Sequence, residues 1–130
     1  MAGSVTISEV RFGSVKKTSY AWTSDASGDV SGGATPLISG EIVRIVTDPD
    51  GSSAPTANYD ILLKDEDSVD LAQGLLANRH TSNVEDVFPR AEQTVGSTTA
   101  LLPIITHSLL DCVVSNAGNA KKGEVHVYWR

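Results

Sequence analysis

Apolar and polar positions alternate along much of this chain with the two-residue period of β-strands. Val5, Ile7, Val10 and Phe12 open the pattern, but the alternation slips between Ile7 and Val10, which predicts a β-bulge or twist near Ser8-Glu9. Val15 to Thr23 carries Tyr20 and Trp22 on one face. Leu37 to Thr47 is the strongest strand pattern. Its Ile42, Val43, Ile45 and Val46 are β-branched on both faces, as in a central strand covered on both sides or a strand at an interface. Asp48-Pro49-Asp50-Gly51 ends it with turn chemistry, and Tyr59 to Lys64 reads as its antiparallel partner through a long connection. His107 to Ser115 and Glu124 to Arg130 flank the turn-rich stretch Asn116 to Gly123. In the last strand Val125, Val127 and Trp129 share the face opposite His126, Tyr128 and Arg130.

The intervening segments read differently. Val69, Ala72, Leu75 and Leu76 fall at helical spacing within Asp65 to Asn78, and Asp67 or Ser68 is placed to cap that segment. Gly74 weakens such a helix by about 1 kcal/mol. Residues 24–36 are polar and glycine-rich, with nothing to pack, and predict a flexible loop. Asn78 to Gly96 is polar and irregular, and Pro89 and Pro103 break any strand pattern in this part of the chain. About six strands at this spacing predict an all-β, mainly antiparallel fold, a β-sandwich or barrel-like domain with one short helix. The 130 residues suit a single domain, 1–130, long enough to bury one real core.

Charge and composition narrow the function classes. Sixteen acidic against ten basic residues leave a net charge of −6, and adjacent cations occur as the pairs Lys16-Lys17 and Lys121-Lys122. Counterion release on nucleic acid needs denser clusters, so no nucleic-acid partner is expected. An acidic surface suits solubility or docking on a basic protein partner. No apolar run approaches the roughly 20 residues that span a bilayer as a helix, so no membrane partner is expected either. Met1-Ala2-Gly3-Ser4 lacks the basic and apolar blocks of a signal peptide, and the expectation is synthesis and use without Sec export.

Candidate chemistry is sparse. Cys112 lies in an apolar stretch beside Asp111, which raises a thiol pKa, so it reads as a buried structural thiol. Asp65-Glu66-Asp67 with Asp70 does not match a calcium-loop layout and reads as a solvated turn. His80, His107 and His126 have no companions at metal-ligand spacing. Gly28 to Gly33 lacks the ending of a phosphate loop, and no nucleophile elbow is present. The expectation is therefore a non-enzyme, with no catalytic residue, no metal and no cofactor. The interface candidates are Val5, Ile7, Val10 and Phe12 in a docking strand or arm over residues 1–13, with Ile42, Val43, Ile45 and Val46 in the doubly apolar strand.

The segments Gly40 to Gly51 and Ala54 to Asp67, with the closing Gly123-Glu124-Val125-His126-Val127-Tyr128-Trp129-Arg130, resemble small virion proteins of tailed bacteriophages. Small β-rich proteins of that class decorate capsids, often as trimers. The resemblance implies a decoration (cement) protein, made in the host cytoplasm and placed on the capsid surface of the virion. Its partners would be the major capsid protein or another virion protein, and further copies of itself in a homotrimer. A tail, fibre or head-to-tail component is the alternative within that class. From another class, a carbohydrate- or receptor-binding β-sandwich would use Tyr20, Trp22, Tyr128 and Trp129, of which alternation assigns Trp22 and Trp129 to the core.

Overall fold

In the computed structural model the described residues are 3–32 and 36–130, and they form nine strands and no helix. The strands are β1 (Ser4–Val10), β2 (Lys16–Thr23), β3 (Leu37–Pro49), β4 (Asp60–Lys64), β5 (Glu85–Val87), β6 (Arg90–Val95), β7 (Thr98–Leu109), β8 (Asp111–Ser115) and β9 (Lys122–Trp129). Seven of them build one antiparallel sheet in the order β1-β2-β9-β3-β7-β6, with β5 also paired to β3. β4 and β8 form a two-stranded antiparallel sheet. The all-β antiparallel expectation holds.

The core lies between the two sheets. Tyr20 and Trp22 on β2, Val125, Val127 and Trp129 on β9, and Ile38, Ile42 and Ile45 on β3 belong to one buried cluster with Ile61, Leu63, Cys112 and Val114 of the small sheet. The alternation expected for β9 is therefore real: its odd positions are buried and His126 and Tyr128 turn to the other face. Several polar groups inside are paired, while the Trp22 indole N–H, Thr47 Oγ1 and Asp111 Oδ1 have no hydrogen-bond partner among the described residues. The Trp129 indole N–H donates to Thr18 Oγ1 at 3.0 Å, and the Tyr20 hydroxyl donates to the Leu110 carbonyl at 2.9 Å. Trp22 and Tyr59 rings meet at 5.7 Å in a tilted arrangement, a contact that adds to their burial. Burial pushes the Cys112 thiol well above its ordinary range, with Asp111 adding to the shift, which suits a thiol that packs and does not react.

Five expectations need correction. The bulge is not near Ser8-Glu9, where β1 and β2 pair without a break from Ser4↔Thr23 to Val10↔Lys17. It lies on β3, where the register against β9 shifts between Ile42 and Arg44. One extra residue there reverses the inward phase, so Ile42 and Ile45 both reach the core. Next to the bulge, Gly40 (φ +146°) brings its backbone so close to the Arg130 carbonyl that a Cβ would collide with that oxygen. Second, β3 does not pair with Tyr59 to Lys64. It is the central strand, bonded to β9 on one side and to β7 and β5 on the other, while β4 pairs with β8.

Third, residues 65–78 are a chain of turns. Asp65 Oδ1 accepts the N–H groups of Asp67 and Val69, and the Asp70 carboxylate accepts those of Leu63, Ala72 and Gly74. These side chains satisfy the backbone donors that a helix would have used, the competition that keeps Asp out of helix interiors. Ser68, Gln73, Gly74 and Asn78 adopt positive φ, which a right-handed helix excludes. Leu71, Ala72 and Leu76 reach the core from successive turns, while Val69 and Leu75, expected on the same helical face, are exposed. Fourth, residues 24–32 do have something to pack. Val30 is fully buried and exchanges both backbone hydrogen bonds with Val114, and Gly28 accepts from the Ala117 N–H. The rest of the expected loop includes residues 33–35, which lie outside the described residues. Fifth, the stretch from Asn78 to Gly96 contains β5 and β6, and β7 continues through Pro103.

Candidate functional site

The eight candidate interface residues divide sharply. Ile42, Ile45 and Val46 are buried within the chain, Val43 is half-buried at the bulge, and Val5 and Ile7 pack partly against the core. Val10 and Phe12 remain exposed at the tip of the β1–β2 hairpin, Phe12 at 87%. The N-terminal strand is thus no unsupported arm: all seven of its residues are paired with β2. The tip is also tied down, because the Arg11 guanidinium donates to the Leu37 carbonyl at 3.1 Å.

A further stretch of exposed apolar surface lies at the opposite edge of the sheet. β6 and β7 pair from Arg90↔Pro103 to Val95↔Thr98. Among residues 90–103 every side chain is exposed except that of Ala91, which packs against the core. Neither face of this hairpin is covered, and Val95, Leu101 and Leu102 stand at 72%, 68% and 42% exposure. The apolar positions continue down the outer side of β7 through Ile105 and Leu109, the latter directly opposite Leu37 on β3. Sequence reasoning missed this region because proline and polar residues hid the strand period, yet Leu101-Leu102 and Ile104-Ile105 were a visible apolar signal.

A second, polar feature occupies the outer face of β2, β9 and β3. Strand pairing sets Asp48 directly opposite Glu124, and His126 comes two residues later on the same face. One ligand atom from each of Asp48, Glu124 and His126 lies within 4.8 Å of the others. His126 Nε2 is 3.2 Å from Glu124 Oε2, and its Nδ1 is 2.7 Å from Ser19 Oγ. Burial holds the His126 pKa below its ordinary value, and Lys17 adds to that, while Glu124 and Asp48 oppose it. The shift disfavours the imidazolium, and the neutral ring carries lone-pair electrons on one nitrogen. A cleft of about 420 Å³ opens beside the cluster, lined by Ser4, Thr6, Thr23, Asp48, Lys122 and Glu124 among others. His80 and His107 stand elsewhere, in local hydrogen bonds with the backbone of Ser82 and Asn83 and with Ser39. No pattern along the chain could reveal the cluster, because strand register makes it.

The aromatic candidates for a glycan platform are not displayed. Tyr20, Trp22 and Trp129 are buried, and Tyr128 lies between Lys17 and Arg44, each within 6 Å of its ring centre.

No protein-family model and no curated protein matches the chain. Among solved structures, a cupin domain from Bordetella pertussis Tohama I superposes over 99% of this chain and 94% of its own, at 12% identity and a TM-score of 0.33. A likeness that distant bears on neither the cluster nor the hairpin.

Proposed function

We propose that this chain is a structural protein of a tailed-phage virion, a decoration protein that binds the outer capsid shell as a homo-oligomer, with a trimer favoured. The phage part rests on the resemblance of residues 40–67 and 123–130. The assembly part rests on one observation, the β6–β7 hairpin left bare on both faces. An isolated two-stranded hairpin is marginal in water. One that projects Val95, Leu101 and Leu102 gains its order from whatever it packs against, and copies or a lattice supply such a surface. The N-terminal docking arm drops out of the mechanism, and the β6–β7 arm takes its place.

The test compares the full chain with a variant in which residues 92–101 are replaced by a short turn. Both are mixed with undecorated shells and co-sedimented. Saturable binding by the full chain, lost in the shortened one while its core still melts cooperatively, is expected. Absence of saturable binding by the full chain removes the decoration reading in favour of a tail or fibre component.

A further inference from the structure

We propose that Asp48, Glu124 and His126 form a binding site for a divalent first-row transition cation, zinc-like in preference, on the outer face of the large sheet. This inference is independent of the virion reading. Three separate strands build the arrangement: Asp48 comes from β3, Glu124 and His126 from β9, and Ser19 behind the imidazole from β2. Two carboxylates directly opposite each other on neighbouring antiparallel strands repel, and such like-charge pairs destabilise a sheet. Glu124 Oε2 has His126 Nε2 at 3.2 Å, while the Asp48 carboxylate has no ion pair or hydrogen bond among the described residues. A cation between them turns that repulsion into attraction.

The donor set chooses the class of ion. One imidazole nitrogen and two carboxylate oxygens are a borderline set, suited to zinc and its neighbours. Calcium requires six to eight oxygens, more than this face offers. Three protein donors leave at least one coordination position for water or a ligand, and Asp48 and Glu124 also line the cleft.

Ser19 makes the histidine switchable between two hydrogen-bonding states. Without a cation, Nε2 lies 3.2 Å from Glu124 Oε2 and Nδ1 lies 2.7 Å from Ser19 Oγ, so the tautomer protonated on Nε2 takes the Ser19 hydroxyl as donor to Nδ1. With a cation on Nε2, the proton moves to Nδ1 and donates to Ser19 Oγ across the same 2.7 Å. A hydroxyl can serve both states because it donates and accepts. Ser19 is thus a positioning residue for the ligand.

Chelator-treated protein is titrated with zinc chloride by calorimetry, with melting and the ring ¹⁵N shifts of His126 followed in parallel. One zinc per chain, a rise in Tm reversed by EDTA, and movement of the His126 Nε2 signal are expected. Asp48→Asn and Glu124→Gln should each abolish the stoichiometric binding. Neither variant is expected to fold poorly, since each removes one of two opposed charges, and its zinc-free Tm should match or exceed the parent's. Ser19→Ala should weaken binding by about tenfold, as loss of an orienting partner does elsewhere. Glu92→Gln, on the exposed hairpin, should change nothing. Failure of the parent to take up zinc overturns the proposal. So does zinc binding that survives both carboxylate variants, which would place the ion on His80 or His107, or an unmoved His126 signal at saturation.

Discussion

The two edges of the large sheet are both antiparallel hairpins, and they differ in how much of each is packed on the body. The β1–β2 hairpin lies on the body: Tyr20 and Trp22 point into the core, Val5 and Ile7 add to it, and Arg11 ties the tip to Leu37. Arg11 and Lys16 also stand over the Trp129 ring, each 5.2 Å from its centre, covering the indole with long cationic side chains. The β6–β7 hairpin is held more sparsely, by Ala91, the Arg90–Glu41 ion pair at 3.7 Å and the lower part of β7 from Ile104 onward. The first edge packs on its own core apart from the exposed Val10 and Phe12 at its tip, and the second displays leucines on uncovered strands, the feature on which the proposed assembly rests.

The largest expected effect separates the two edges by stability. Trp22→Ala removes a fully buried indole from the N-terminal edge and should cost about 3–5 kcal/mol. Against a total of about 5–15 kcal/mol, that is a severe loss. Leu101→Ala on the far edge should change monomer stability by no more than about 0.5 kcal/mol. Urea unfolding at low protein concentration measures both. A Leu101 variant destabilised by several kcal/mol under those conditions would mean that the arm folds back on its own body.

Deleting residues 1–13 should have a smaller but definite effect. It removes the half-buried Val5 and Ile7 and leaves the β2 edge unpaired, a loss of about 2–3 kcal/mol from apolar burial. Assembly through the other edge should survive in whatever fraction stays folded, as sedimentation velocity would report. Loss of assembly with an unchanged melting curve would restore the N-terminal segment as the docking element.

The two edges also differ in how they read in the sequence. β2 and β9 were legible because their outer faces are polar enough for period two to stand out, and β3 because β-branched residues crowd around its bulge. The partner of β1 was not legible. Its turn, residues 11–15, lacks a strong turn dipeptide, and Gly13 at φ +76° is the modest signal that the hairpin closes there. β6 carries Arg90, Glu92, Gln93 and Thr94, polar residues that read as loop when no apolar face is required of them. The helix expected over 65–78 failed because Asp65 and Asp70 capture backbone N–H groups, an effect of side-chain geometry that apolar spacing does not encode. The Asp48, Glu124 and His126 cluster was invisible for a different reason, since pairing of β3 with β9 creates it.

A smaller effect sharpens the account of the N-terminal side. Asp25 accepts the N–H groups of Ser27 and Asp29 at 2.8 and 3.0 Å, and these bonds hold its carboxyl below the ordinary 3.8. A carboxyl with a depressed folded pKa stabilises above its unfolded value and loses that contribution as pH falls through the folded one. The melting difference between the parent and Asp25→Asn should thus be full at pH 7 and shrink below about pH 4. A difference that grows on acidification would contradict the turn's role in seating Val30.

The central claim is that the bare hairpin is the assembly edge, and charge placed on it tests this most directly. Sedimentation equilibrium of the parent against Leu101→Glu with Ile105→Glu reads the oligomeric state without disturbing the core, since both side chains are exposed. The account predicts a concentration-dependent oligomer, with a trimer favoured, for the parent and a folded monomer for the double variant. A parent that stays monomeric at every concentration, or a double variant that associates as the parent does, would contradict it.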